Sequence, residues 1–104
     1  MAAPTQPSTN STFPALITCF SRDLAALTGE EVSPDITPND FIGLVERARN
    51  ALIDARDDRL QDAMEALDRA VSRLTDALTS TGNDQRSLLA RARMYLRAAV
   101  DATR

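Results

Sequence analysis

Arginines and aspartates at helical spacing are the residues of this chain best suited to chemistry. Arg86, Arg93, Arg97 and Arg104 stand seven, four and seven positions apart. That spacing puts them on one helix face, read here as opposite the leucines, with Arg91 off it. A guanidinium fork grips phosphate or carboxylate through two parallel hydrogen bonds, so the stripe could dock an anion or an acidic partner. The plainer reading is a solvated face, because cations near a helix C-terminus are favoured by the helix dipole alone.

Asp54, Asp58, Asp62 and Glu65 form a second, acidic column. Carboxylates in such a row could hold a divalent cation, yet di-metal bundles combine Glu with a Glu-x-x-His element and this chain has no histidine. It also lacks the Gly-containing Asp/Asn loop of a calcium-binding hand. The column therefore reads as a surface that faces water or meets arginines, either Arg69 and Arg73 or the stripe of the same or a second chain.

Cys19 is the only cysteine. A nucleophilic thiol or hydroxyl needs a base, and without histidine none of the usual pairs exists. Cys19 flanks the first apolar pattern and is expected to be buried packing. Gly29, Gly43 and Gly82, the only glycines, make no phosphate-cradling loop. The eleven Asp and four Glu are interleaved with Arg as surface residues usually are. The expectation is a non-enzymatic chain with no catalytic residue, cofactor, metal or small-molecule substrate.

Composition narrows the partners. The 43% hydrophobic share is mainly Ala and Leu, with Phe13, Phe20, Phe41 and Tyr95 as the only aromatic residues, so the core must be aliphatic helix-on-helix packing. At about 100 residues a chain buries roughly two-thirds of its unfolded surface, enough to fold without a disulfide or metal. A net charge of −3 argues against nucleic acid or anionic lipid. The balance is uneven: residues 1–79 carry a net −6 and residues 80–104 a net +3. No apolar run approaches the roughly 18 residues of a membrane span, and the first residues lack the basic start and apolar run of a signal peptide. With one unpaired cysteine, the expected location is cytoplasmic. All twelve cations are Arg and none is Lys, which with abundant Ala suggests a GC-rich, bacterial genome.

The elements that must position these residues are helices. Residues 1–11 (MAAPTQPSTNS) have no apolar period and read as a flexible tail. Phe13, Leu16, Ile17, Phe20, Leu24 and Leu27 then recur at three and four, predicting a first helix over 13–28, with Pro14 in its first turn and Gly29 ending it. Thr37, Pro38 and Asp40 form a capping box that starts helix 2, with Ile36 and Phe41 as a hydrophobic staple. Its buried face is Phe41, Leu44, Val45, Ala48 and Leu52, with Ile53 at the edge.

No Gly or Pro other than Gly43 separates Pro38 from Gly82. One helix of about 42 residues is the alternative to a hairpin. Two features favour a hairpin broken at Ala55–Asp58. The apolar seam slips by one residue at Leu60, and Asp54, Asp58 and Asp62 would stack unfavourably in a continuous helix. Asp58 with Gln61 could cap the new helix. Helix 3 carries a heptad seam of Leu60, Met64, Leu67, Val71, Leu74 and Leu78 beside Ala63, Ala70 and Ala77. Thr79–Gly82 ends it. Asn83 or Asp84 is expected to cap helix 4, whose apolar face is Leu88, Leu89, Ala92, Tyr95, Leu96, Ala99 and Val100.

The sequence thus predicts an all-α chain: a small four-helix bundle with a long central helical hairpin of helices 2 and 3, forming a single helical domain over 12–104. Strong apolar faces without a catalytic toolkit point to protein binding, as an adaptor, chaperone-like or regulatory module that self-associates as a homodimer. The contacts expected are Leu60, Met64, Leu67, Val71 and Leu74 as an apolar seam, with Arg86, Arg93 and Arg97 as a polar dock. For the seam, the competing reading is the core of a monomer. The alternative function is a small nucleic-acid-associated regulator using the arginine stripe.

Overall fold

The computed structural model describes residues 12–31 and 35–103. They form a four-helix bundle of α1 (Phe13–Thr28), α2 (Pro38–Ala55), α3 (Gln61–Leu78) and α4 (Gly82–Ala102). A 3-10 turn at Asp58–Leu60 leads into α3, and there is no strand among the described residues. The flexible tail expected over residues 1–11 lies outside the described residues.

Local chemistry sets most of the ends. The Thr12 hydroxyl accepts the Ala15 N–H at 3.3 Å, with Pro14 in the first turn of α1. Gly29 closes α1 at φ 77°, a left-handed conformation that glycine adopts without a Cβ penalty. The capping box of α2 is complete: Thr37 accepts the Asp40 N–H at 3.1 Å, and the Asp40 carboxylate accepts the Thr37 N–H at 3.4 Å. Ile36 is half-buried against the core to which Phe41 belongs.

The long central stretch is a hairpin. Arg56 turns left-handed at φ 52° and its N–H donates to the Ile53 carbonyl at 3.2 Å. The next residue, Asp57, accepts the Arg59 N–H at 3.0 Å and the Arg59 guanidinium at 3.1 Å. Asp57 therefore caps the new start, where Asp58 was expected. The carboxylate one residue earlier is the one that faces the free N–H groups after the left-handed step.

At the α3–α4 turn, Thr79 and Ser80 hydroxyls donate back to the Asp76 carbonyl at 3.1 and 2.9 Å. The Gln85 side-chain amide crosses from α4 to the Ala77 carbonyl at 3.0 Å. Helix α4 starts at Gly82, after an extended Thr81 that makes no side-chain cap. This corrects the expected caps, Asn83 and Asp84, which lie inside the first turn. The turn is held by bonds to the end of α3 instead.

Packing centres on α3. Ala63, Leu67, Ala70, Leu74 and Ala77 have 0% exposure, as do Ala92, Leu96 and Ala99 of α4. Alanine at seven-residue intervals on both helices lets their backbones approach closely. Contact is extensive along α3–α4, α2–α3 and α1–α2, but slight between α1 and α4. The helices thus pack in chain order, and the seam that would close the bundle is the weakest.

Ion pairs lie on the perimeter. Arg47 grips Glu30 with two hydrogen bonds, at 2.6 and 2.9 Å, tying α2 to the residues after α1. Arg49 reaches Asp68 at 2.8 Å and ties α2 to α3. The Arg47 guanidinium lowers the Glu30 pKa from its ordinary value, and Arg59 does the same for Asp57. Among the described residues, no helix is long and apolar enough to cross a membrane.

Two stability outcomes follow. Arg56→Gly should raise stability by about 0.5–1 kcal/mol, since a left-handed non-glycine residue costs roughly 1–2 kcal/mol and glycine returns part of that as unfolded-state entropy. Gly29→Ala, where an added Cβ meets nothing within 4 Å, should instead lose about 1 kcal/mol through its positive φ. Urea midpoints check both, and a loss for Arg56→Gly would mean that the Arg56 side chain holds the turn. A carboxylate whose folded pKa is depressed stabilises above its unfolded pKa and loses that contribution as pH falls through the folded value. Both pairs are exposed and screened by solvent, so the urea midpoint should fall only slightly as pH drops through the carboxylate range, and Arg47→Gln should flatten part of that fall. An unchanged slope would remove the Glu30 contact from the account.

Candidate partner-binding groove

The heptad seam of α3 is divided by the fold. Leu67 and Leu74 lie in the core at 0% exposure and cannot touch a partner while α3 is folded. Leu60, Met64 and Val71 are half-buried against that core, and Leu78 is 38% exposed. The accessible parts of the seam are therefore the half-buried Leu60, Met64 and Val71 and the exposed Leu78, of which Leu60 and Met64 lie beside Ile53 of α2.

There the outer faces of α2 and α3 form a groove. One depression of about 370 Å³ is lined by Arg49, Ile53, Met64, Glu65, Asp68 and Arg69. A second of about 210 Å³ shares Ile53 and Met64 and continues to Leu60, Arg56, Asp57 and Asp58. Its apolar floor is Ile53, Leu60 and Met64, and its rim carries both signs of charge. The Arg49–Asp68 pair spans the rim and fixes the two helices across it. Ile53, 48% exposed, is the contact that sequence reading missed. The available signal was its place one residue beyond Leu52, at the margin of the α2 stripe and just before the break.

The arginine stripe is not opposite the leucines. Arg93 is half-buried, and the Arg97 guanidinium lies 5.8 Å from the centre of the Phe20 ring. The stripe borders the apolar face of α4 on the side of α1, which a 100° step per residue allows because Arg93 and Val100 are seven apart. Arg86 and Arg91 are exposed, and Arg104 lies outside the described residues. None of Arg86, Arg91, Arg93 and Arg97 is ion-paired among the described residues.

The acidic column is also redistributed. Asp54 ends up on α2, Asp58 on the 3-10 turn, and Asp62 and Glu65 on α3, all exposed, and of the four Asp58 and Glu65 line the groove. The break in the helix divides a straight row among three elements. Cys19 is exposed, contrary to its expected burial. The buried arc of α1 runs through Phe20, Leu24, Ser21 and Ala25, on the other flank of the apolar stripe from Cys19.

One further depression, of about 520 Å³, lies at the α3–α4 turn between Asp76, Thr79, Ser80, Asp84 and Arg91. It is broad and polar, and its Thr79 and Ser80 hydroxyls are already spent on the Asp76 carbonyl. The α2–α3 groove is the better candidate: it combines an apolar floor with fixed charges, which suits an apolar helix face rather than a reaction.

The division of the seam is testable. Leu74→Ala should cost about 2–5 kcal/mol as a core truncation, whereas Met64→Ala should cost about 1 kcal/mol or less. Equal losses in urea unfolding would place Met64 in the core and close the groove.

Set against models of known protein families, curated proteins and solved structures, the chain matches none.

Proposed function

We propose that this chain is a non-enzymatic protein-binding module, of adaptor, chaperone-like or regulatory type, that seats a helical segment of another protein in the α2–α3 groove. The observation that carries the reading is the cluster of Ile53, Leu60 and Met64. They form one apolar floor between α2 and α3, with Ile53 48% exposed and Leu60 and Met64 half-buried beside it. A helix presenting aliphatic residues at i and i+4 fits such a floor. Rim charges of both signs would set its direction and exclude mismatched partners.

The small apolar area suits transient binding, since stable interfaces bury roughly 800 Å² on each partner. The arginine stripe supports the nucleic-acid reading less well. Met94 stands exposed among its arginines, Arg97 lies over Phe20, and the aromatic residue of α4, Tyr95, is half-buried. A single-stranded nucleic acid would want an exposed ring on which to stack.

The test is selection from a displayed library of amphipathic helical peptides, followed by NMR mapping on the full chain. Selected peptides should shift the resonances of Ile53, Leu60 and Met64, and Met64→Glu should weaken binding at least about tenfold, the scale of one lost anchor. Shifts centred on α4 or scattered over the surface would overturn the assignment.

A further inference from the structure

Arg86, Arg93 and Arg97 form a column on the α1 side of α4, with Arg86 and Arg97 exposed and Arg93 half-buried. Met94 stands beside the column on the outer face, 65% exposed. Between Asp84 and Asp101 the helix carries four arginines and no carboxylate, a net +4 over residues 85–100, while the rest of the chain carries a net −7. No arginine of the column is ion-paired among the described residues, and Asp23, one turn from Phe20 on α1, pairs with none of them. Arg91 stands apart on the other flank of α4, where it shares a depression with Asp76 and Asp84.

The helix dipole does not account for the column. It favours cations in the last turn, and the last turn of α4 holds none. Arg86 lies in the N-terminal half, towards the end that disfavours cations. Arg93 and Arg97, four residues apart on one face, repel each other. Arg97 lies over the Phe20 ring at 5.8 Å, a contact that orients the guanidinium and leaves its charge in place. The column is thus a concentrated positive charge that nothing in its own chain neutralises among the described residues.

We infer that this face of α4 is a docking surface separate from the α2–α3 groove, and that its partner is an acidic amphipathic segment of another protein. Carboxylates spread over about 17 Å, the rise from Arg86 to Arg97, meet the guanidinium forks. An aliphatic side chain next to them covers Met94 and the exposed Ala90 one turn before it. The column selects an anion, and its surroundings select a protein. Met94 and Ala90 offer nothing to a phosphate backbone, and the net −7 of the remaining chain repels a polyanion as densely charged as nucleic acid. A short segment with a few carboxylates beside an apolar row meets neither obstacle.

The test is an NMR titration of the full chain, at low ionic strength, with a synthetic helical peptide that carries Glu along a row of Leu. The peptide should shift the resonances of Arg86, Ala90, Met94 and Arg97, and its affinity should fall at least about tenfold in about 0.5 M salt. Arg86→Glu and Met94→Glu, both at exposed positions, should each weaken binding about tenfold. Circular dichroism melting verifies that each variant folds. Met64→Glu, in the groove, should leave this binding unchanged. A peptide with Gln in place of Glu should not bind, and one with Ser in place of Leu should bind about tenfold more weakly. Shifts centred on Ile53 and Met64, equal binding of the Leu and Ser peptides, tighter binding of a single-stranded oligonucleotide, or no binding of the Glu and Leu peptide would each overturn the inference.

Discussion

Burial of the Ala63, Leu67, Ala70, Leu74 and Ala77 stripe of α3 is the interaction on which the other features depend. Alanine has no side-chain rotamer freedom to lose and is the best helix former, so these positions order at low entropic cost. Their small size lets α4 approach α3 closely, with Ala92 and Ala99 buried from the other side. Leu67 and Leu74 fill the space that remains, and α2 covers the adjacent face. A core with so few aromatic rings is possible because the helices come this near. The same packing consumes Leu67 and Leu74 of the seam that a partner would have used, and leaves exposed apolar surface at Ile53, Leu78 and Met94, with Leu60 and Met64 half-buried beside Ile53.

Much of this was legible in the sequence, for identifiable reasons. Thr37, Pro38 and Asp40 announced a helix start because a capping box is chemistry between near neighbours, and the structure makes both of its bonds. The hairpin was readable because the one-residue slip at Leu60 and the aspartate stack both disfavour a continuous helix. The cap at Asp57 was not, since the left-handed turn at Arg56 carries no glycine signal. Burial was misjudged where it depends on which helices meet. Arg97 of the stripe lies over Phe20 where α4 meets α1, and Cys19 falls on the uncovered flank of α1; no periodicity within one helix reveals which flank a neighbour will cover. The groove itself joins Ile53 to Met64 across the hairpin, a pairing that exists only once the register of α2 against α3 is known.

Charge follows the same division. The ion pairs of the described residues, Arg47–Glu30, Arg49–Asp68 and Arg59–Asp57, all involve α2, its preceding connector, the turn or α3. They are exposed and contribute little to stability, but they settle which cations are satisfied at home. On α4 the arginines have no such partners, and one of them lies over the Phe20 face where a cation–π attraction adds a second tie between α4 and α1. The groove, by contrast, is lined by Arg49, Arg56 and Arg69 together with Asp57, Asp58, Glu65 and Asp68, so charges of both signs surround its apolar floor.

Everything above requires α2 and α3 to fold back on each other within one chain. The most direct check is a distance distribution by double electron–electron resonance between spin labels at Glu46 and Ser72, in a Cys19→Ser background diluted with unlabelled protein. Both labelled positions are exposed. The hairpin predicts a short distance, about 20 Å or less once label reach is added to an interaxial spacing of about 10 Å. A continuous helix over the 26 residues between them would give about 39 Å. A short, narrow peak that persists on dilution is the predicted result. A peak near the longer distance, or a short one that vanishes on dilution, would contradict the fold and with it the groove.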